Sequence, residues 1–541
     1  MTNRSQQRFI QWINRVLFFY CMGAFLVVIW NMSHEPTTFH LMTESLFQTS
    51  FSPLKSPFLA HLFGFSLRID TVSSVMLLMI TLLGALIGQY SIRYLDGEKR
   101  QADFYRSLFW IITSSAILVT SNHLGLFFLA WLGASLSLHQ LLKYNAHRPQ
   151  ALLAARKKFI ISRLGDLSLL GAIGLTYHLF GTLDIQELFY QASLIPEGTE
   201  PSQLIHVIGF LVALGAMTKS AQFPFHFWLP ETMESPTPVS ALMHAGIINA
   251  GGFLIIRLSP ILEHATAAHL LLTVVGSTTA VYGALVMITQ NQLKNKLAYS
   301  TISQMGMMLF ACGLGAYSIA LLHIIAHSFY KAHAFLSTGM QVEESKKQSL
   351  QHGAPSAAFL SSVSSLGLLG VIAGLFYQDG LYLPYATYGS ILFLGLSQNL
   401  RSAWNNHKQN STNSLNLKQQ WTGAQSAFWL AASMAMFLSL ESAFAQRIKF
   451  LVADIHEPLS FSSPVTLLCF YAYFIFCFGF WLTAYLVQPQ STRMKKLYFY
   501  LWNGGYFSAI STALVNSWQK GSHSKTLTMG QPILTSENGN A

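Results

Sequence analysis

Apolar runs of roughly 20 residues recur along this chain from Val16 to Leu486 with short polar gaps between most of them, the length a helix needs to cross a bilayer. We count about fourteen such runs. Lipid offers backbone groups no hydrogen-bond partner, and the runs lack strand-like alternation, so the spans are expected to be helices and not barrel strands. The expected fold class is all-α, a polytopic membrane protein. Composition agrees, with 52% hydrophobic residues, 10% charged residues and a mean hydropathy of +0.40.

A formal charge of +11 raises the question of nucleic acid, and the placement of the basic residues answers it. Arg4, Arg8 and Arg15 precede the first run; Lys99, Arg100 and Arg106 follow the second; Arg148, Arg156, Lys157 and Lys158 follow the fourth. Lys294 and Lys296, Lys346 and Lys347, Arg401, Lys408 and Lys418, and Arg493, Lys495 and Lys496 continue this every-second-loop rhythm. By the positive-inside rule that side is cytoplasmic, with both termini inside. The opposite loop, 181–203, has no Lys or Arg but holds Asp184, Glu187, Glu197 and Glu200. Topology thus accounts for the charge, and no nucleic-acid partner is expected; the partner it implies is the lipid bilayer. The run from Val16 to Trp30 is read as a first span, because no small-residue cleavage site follows it. Cys21, Cys312, Cys469 and Cys477 all lie in apolar runs without a C-x-x-C pair, so no metal site is expected. No G-x-G-x-x-G or Walker A lysine is present, so no nucleotide or other cofactor is expected in this chain.

The spans fall into two blocks separated near 263–268, each with a helix rich in ionisable residues beside a stretch broken by glycine or proline, which suggests an internal inverted repeat. The clearest interruption follows Lys219, where Pro224, Pro230, Pro236 and Pro238 rule against one continuous helix. Polar stretches at 341–355 and 399–420 read as solvent loops. The expected divisions are N-terminal spans 1–105, a first repeat 106–262, a second repeat 263–400, C-terminal spans with an interfacial segment 401–518, and a disordered Ser/Gly/Asn-rich tail 519–541. None is a soluble domain able to house catalysis, so no catalytic residue is assigned and a transport subunit is expected.

Ionisable residues inside apolar runs are costly and are functional by default. Lys219 lies deep in such a run; a central lysine costs about 2.5 to 3.5 kcal/mol on insertion scales, so it needs a partner or water. Snorkelling at a span end is the plain alternative. His323, His327 and Lys331 recur at i, i+4 and i+8, on one helix face, a spacing that lets a proton pass through bridging water. His333 is off that face and is read as packing. His244, just after the prolines, gains interest from its closeness in sequence to Lys219. Arg163 and Asp166, at i and i+3, either neutralise each other or leave Asp166 to tune Lys219. Lys294 and Lys296 either link the two blocks or follow the positive-inside rule, and Asp379 and Glu441 are either relay members or solvated rim.

At these residues the chain resembles the antiporter-like family that includes the large proton-pumping membrane subunits of respiratory complex I and of Mrp-type antiporters. The stretches that carry the resemblance are Lys219-Ser-Ala-Gln-Phe-Pro, Pro236-Thr-Pro-Val-Ser-Ala-Leu-Met-His-Ala, Leu297-Ala-Tyr-Ser-Thr-Ile-Ser-Gln-Met-Gly and His323-Ile-Ile-Ala-His-Ser-Phe-Tyr-Lys-Ala, with Tyr90-Ser-Ile-Arg-Tyr and Asp96-Gly-Glu upstream. The resemblance implies translocation of protons, or of sodium, along a mid-membrane axis through Lys219, His244, His323, His327 and Lys331. Two positions depart from the family pattern. Leu132 stands where the family carries a glutamate after the tryptophan, and Gln378 stands where it carries a lysine in its second broken helix. The chain also ends before the long lateral helix of the complex I subunit. Such a shortened, divergent member is similar to the DabB-type subunits of inorganic-carbon pumps in the cell inner membrane. That resemblance implies a soluble or peripheral zinc-containing DabA-type partner that forms bicarbonate from carbon dioxide; the alternatives are a subunit L-like part of an NADH-quinone oxidoreductase and an Mrp-type antiporter subunit.

Overall fold

The computed structural model describes residues 4–34, 36–42, 64–196, 202–338, 387–389, 391, 464–486, 491–515 and 517. Among them, seven helical stretches are long and apolar enough to cross a membrane. The N-terminal helix α1 (Arg4–Ser33) has only 11% of its most apolar window buried, so its outward side chains meet lipid. At the other extreme, the stretch Thr237–Arg257 is 89% buried and lies at the centre. Between these limits pack α2 (Thr71–Tyr94), α3 (Gln101–Thr120), α4 (Leu124–Leu142), α5 (Pro149–Phe180) and, after the short α6 (Ile185–Ser193), α7 (Gln203–Lys219).

The proline-rich stretch breaks as its composition predicts. α7 ends at Lys219, Ala221 adopts a positive φ of 49°, and the chain passes a cis Phe223–Pro224 bond into the single-turn α8 (Trp228–Glu231). A second break was not expected. The central stretch is two helices, α9 (Thr237–Ala245) and α10 (Ala250–Arg257), parted at Gly246 by a 3-10 turn, Ile247–Asn249. Unwound backbone inside a membrane must find partners within the protein. Asn249 supplies one, its Nδ2 donating to Ala245 O at 2.9 Å and to Ser328 Oγ at 2.8 Å, and Ser220 Oγ donates to Ile248 O at 2.7 Å.

After the short α11 (Ser259–Leu262), α12 (Thr266–Thr289) and α13 (Leu293–Gly313) pack backbone to backbone along their whole length. Glycines two turns apart on each helix permit this: a Cβ on Gly276 or Gly283 of α12 would strike the backbone of Phe310 or Ser303, and one on Gly306 or Gly313 of α13 that of Ala280 or Thr273. Further along the chain come α14 (Tyr317–Leu336), α15 (Pro464–Leu486), α16 (Thr492–Trp502) and the short apolar helix Gly504–Val515.

The all-α expectation needs one correction. Strands β1 (Thr37–Met42) and β2 (Phe65–Ile69) form an antiparallel pair. Its alternation is inverted from that of a soluble hairpin, since Ser66 and Arg68 face inward while Phe65, Leu67 and Ile69 are half-buried. The inward polar face exists because it meets charges. Asp70 caps α2 by accepting from Ser73 N at 2.8 Å, and binds Arg257 through NH1 at 2.6 Å and NH2 at 3.3 Å, with Arg68 Nε at 2.9 Å. Burial pushes the Asp70 carboxyl up, but the two guanidinium groups prevail and hold it at about 2. It therefore stays ionised at neutral pH, a structural lock between the hairpin and α10.

Candidate functional site: a buried lysine–histidine relay

Lys219 closes α7, where a cation suits the carbonyl end of the helix. Its Nζ lies over the Trp131 ring, 4.2 Å from the centroid, and donates to Trp131 O at 3.3 Å. The same indole reaches the other way, Nε1 donating to Asp166 Oδ1 at 2.8 Å, while Arg163 holds Asp166 Oδ2 at 2.7 Å. The Arg163–Asp166 pairing is thus direct, and Asp166 reaches Lys219 through Trp131. Leu132, the departure from the family glutamate, is the next residue on α4.

Two lysines assigned to a cytoplasmic loop by charge rhythm are core residues. Lys157 and Lys158 lie inside α5, at 1% and 3% exposure. Lys158 Nζ donates to Ser135 O and Ser135 Oγ, both at 2.9 Å. Lys157 is paired with Glu231 of α8. The available signal was the position of Lys158 eight residues, about two turns, before Asp166 in the same helix.

The second group gathers around α13. His244 is fully buried on α9, stacked on Phe335 at 4.5 Å, with Nδ1 3.0 Å from Thr301 Oγ1. Thr301 Oγ1 donates to Leu297 O at 3.0 Å, and Lys331 Nζ of α14 donates to the same carbonyl at 3.0 Å. One turn of α13 therefore joins Lys331 to His244. His327 lies one turn before Lys331 and is 5% exposed, and the His323 ring follows at 6.2 Å, its Nδ1 2.9 Å from Tyr388 Oη. The three side chains thus stand in a row on α14, with His327 hydrogen-bonded to neither neighbour among the described residues.

Lys219 also lines a mostly apolar cavity of about 30 Å³, with Ile80, Leu83, Ile112, Ser115 and Gly246. That is room for a water molecule against the unwound turn. Of the five residues singled out in sequence, His244 and Lys331 meet on α13, His323 and His327 follow along α14, and Lys219 stands apart beside Trp131. Lys294 and Lys296 stand half-buried in the first turn of α13. His333 departs from its reading as packing, since it is exposed and lines a surface cleft with Arg93 and Tyr94. Asp379, Glu441 and Gln378 lie outside the described residues.

Buried cations and imidazoles thus lie along interrupted helices, several of them long and apolar enough to cross a membrane. Residues 121–354 match the family model "NADH:quinone oxidoreductase/Mrp antiporter, TM", and residues 61–105 match "NADH-Ubiquinone oxidoreductase (complex I), chain 5 N-terminus". Over these residues the chain is similar to that antiporter-like family. It is 39% identical over 318 residues to the probable inorganic carbon transporter subunit DabB2 of Halothiobacillus neapolitanus, covering 58% of this chain and 57% of that protein. To the probable inorganic carbon transporter subunit DabB of Hydrogenovibrio crunogenus it is 40% identical over 328 residues, covering 59% of this chain and 61% of that protein. The chain thus spans about three fifths of the length of these relatives. The fold is shared with a chain of the Mrp complex from Dietzia sp. DQ12-45-1b, with a TM-score of 0.55 at 21% identity, covering 97% of this chain and 60% of that one.

Proposed function

We propose that this chain is the proton-conducting membrane subunit of an inorganic-carbon uptake pump. Protons pass inward through Lys219, His244, Lys331, His327 and His323, and a zinc-containing DabA-type partner, soluble or peripheral, couples that flow to bicarbonate formation. The observation that carries the reading is that one turn of α13 holds both Lys331, on Leu297 O, and His244, on Thr301, which gives protonatable groups a defined order inside the protein. Similarity to proteins named as inorganic carbon transporter subunits supports the cargo of the whole complex. Arg163 and Asp166 set the charge around Lys219, with Lys294, Lys296, Asp379 and Glu441 as further candidates for linking. On this reading the chain lies in the cell inner membrane with both termini cytoplasmic, has about fourteen spans and two inverted repeats, and is divided at residues 105, 262, 400 and 518.

Lys219→Ala and Lys331→Ala are each expected to abolish high-affinity inorganic-carbon uptake in cells while the chain still copurifies with its partner. Unchanged uptake in both variants removes the reading. Copurification with quinone-site and iron–sulfur subunits, in place of a zinc protein, transfers the chain to a respiratory complex.

A further inference from the structure

A second polar cavity, of about 240 Å³, opens at the end of the molecule that carries Gln290 and Asn295. Glu231 lines one side of it, and Gly504, Phe507 and Ser508 of the C-terminal segment line another. Phe507 sits edge-on to Phe223, His226 and Tyr282, and Leu501 is buried, so this segment is docked on the break that follows Lys219. Gly504 makes the docking possible. It has a φ of +58°, and a Cβ there would collide with Tyr299 Oη.

At this contact Glu231 Oε1 accepts from Lys157 Nζ and from Ser508 Oγ, each at 2.5 Å. Lys157 Nζ also donates to Ser508 O at 3.0 Å and to Thr512 Oγ1 at 2.7 Å. The lysine side chain is 1% exposed and the glutamate 17% exposed, so the carboxylate stands between water and a buried cation. Two helices lead inward from it. On α5, Lys158 is the next residue after Lys157, followed by the Arg163–Asp166 pair. On α13, the cavity residue Tyr299 lies between Leu297 and Thr301, which hold Lys331 and His244.

We propose that Glu231 is the access site at which the transported proton is exchanged with water, and that the segment Gly504–Val515 is its cover. The site rests on the conduction reading above and extends it to the aqueous surface. A hydronium ion in the cavity gives its proton to a Glu231 carboxylate oxygen, leaving water and cancelling the carboxylate charge, while Lys157 keeps its own proton and the bonds to Ser508 O and Thr512 Oγ1. Glu231 then passes the proton to the next water of the cavity, on its Tyr299 side, and the carboxylate and the ion pair are restored.

The full complex, reconstituted in liposomes, is driven by an imposed potential and read with an internal pH dye. Glu231→Gln is expected to slow proton flux about tenfold or more, and Glu231→Asp, which keeps a carboxyl, to retain most of it. A purely structural ion pair would be satisfied by removing both charges, so Glu231→Gln/Lys157→Met is measured beside them and is expected to be as slow as Glu231→Gln. Wild-type flux in either glutamine variant overturns the access site. If Lys219→Ala stops flux while Glu231→Gln leaves it intact, the access site alone fails; if the wild type carries no protons, the conduction reading fails with it. The cover is tested with Glu231→Cys, whose labelling by a charged thiosulfonate is expected to quicken when Gly504→Ala is added. Equal labelling rates remove the cover.

Discussion

Whether His244 can take up a proton depends on which ring nitrogen already carries one. Thr301 Oγ1 donates to Leu297 O, which leaves its lone pair to accept from His244 Nδ1–H. Nε2 is then the bare nitrogen, buried and without a hydrogen-bond partner among the described residues, and on the proposed conduction it is the atom that would receive a proton. Thr301→Val keeps the shape and removes the hydroxyl, and is expected to slow proton flux about tenfold while Thr301→Ser stays near the wild type. Flux in liposomes and the pH profile of each variant check this, since a packing role would not move the profile. His323, His327 and Lys331 were legible because a single helix fixes their spacing. Thr301 was not, because its role arises only where α13 crosses α9. Lys157 and Lys158 were hidden by their neighbours, since Arg148 and Arg156 made the whole group read as a basic loop.

At the scale of elements, the breaks in the central helices are held open by side chains that replace the lost backbone bonds. The first break was legible from four prolines and the second was not, because a lone glycine such as Gly246 is ambiguous in a helical pattern. The hairpin escaped notice because its buried face is Ser66, Arg68 and Asp70, the opposite of what alternation normally signals. The α12–α13 seam makes a prediction of its own. Gly306→Val would drive a side chain into the Ala280 backbone, which cannot give way as a flexible side chain can. A loss of at least about 1–3 kcal/mol is expected, seen as a lower melting temperature of the purified chain in detergent. Ala267→Val, half-buried and away from the glycine seam, serves as the comparison for an added methyl pair on α12.

For the whole molecule, the basic loops and the long helix α5 set an orientation that labelling can read. α5 has 32 residues, about 48 Å at 1.5 Å per residue, enough to carry the chain from the His147 end to the Asp184 end. Single cysteines at His147 and Asn295 are expected to react with an impermeant reagent only in inside-out vesicles, and one at Glu187 only in right-side-out cells. The membrane class was legible from apolar run length, which depends on composition alone; the assembly of the relay was not, because it needs the crossing of four helices. That crossing has a mechanical consequence. Leu297 and Thr301 ride on a two-helix strut whose backbones are already in contact, so they serve as a fixed ruler. His244 rides on a segment severed at Gly246, and Lys331 on a helix tied to that segment by Asn249 and Ser328. A small tilt of the severed segment would therefore change both bonds against the ruler at once, shifting Lys331 and His244 together.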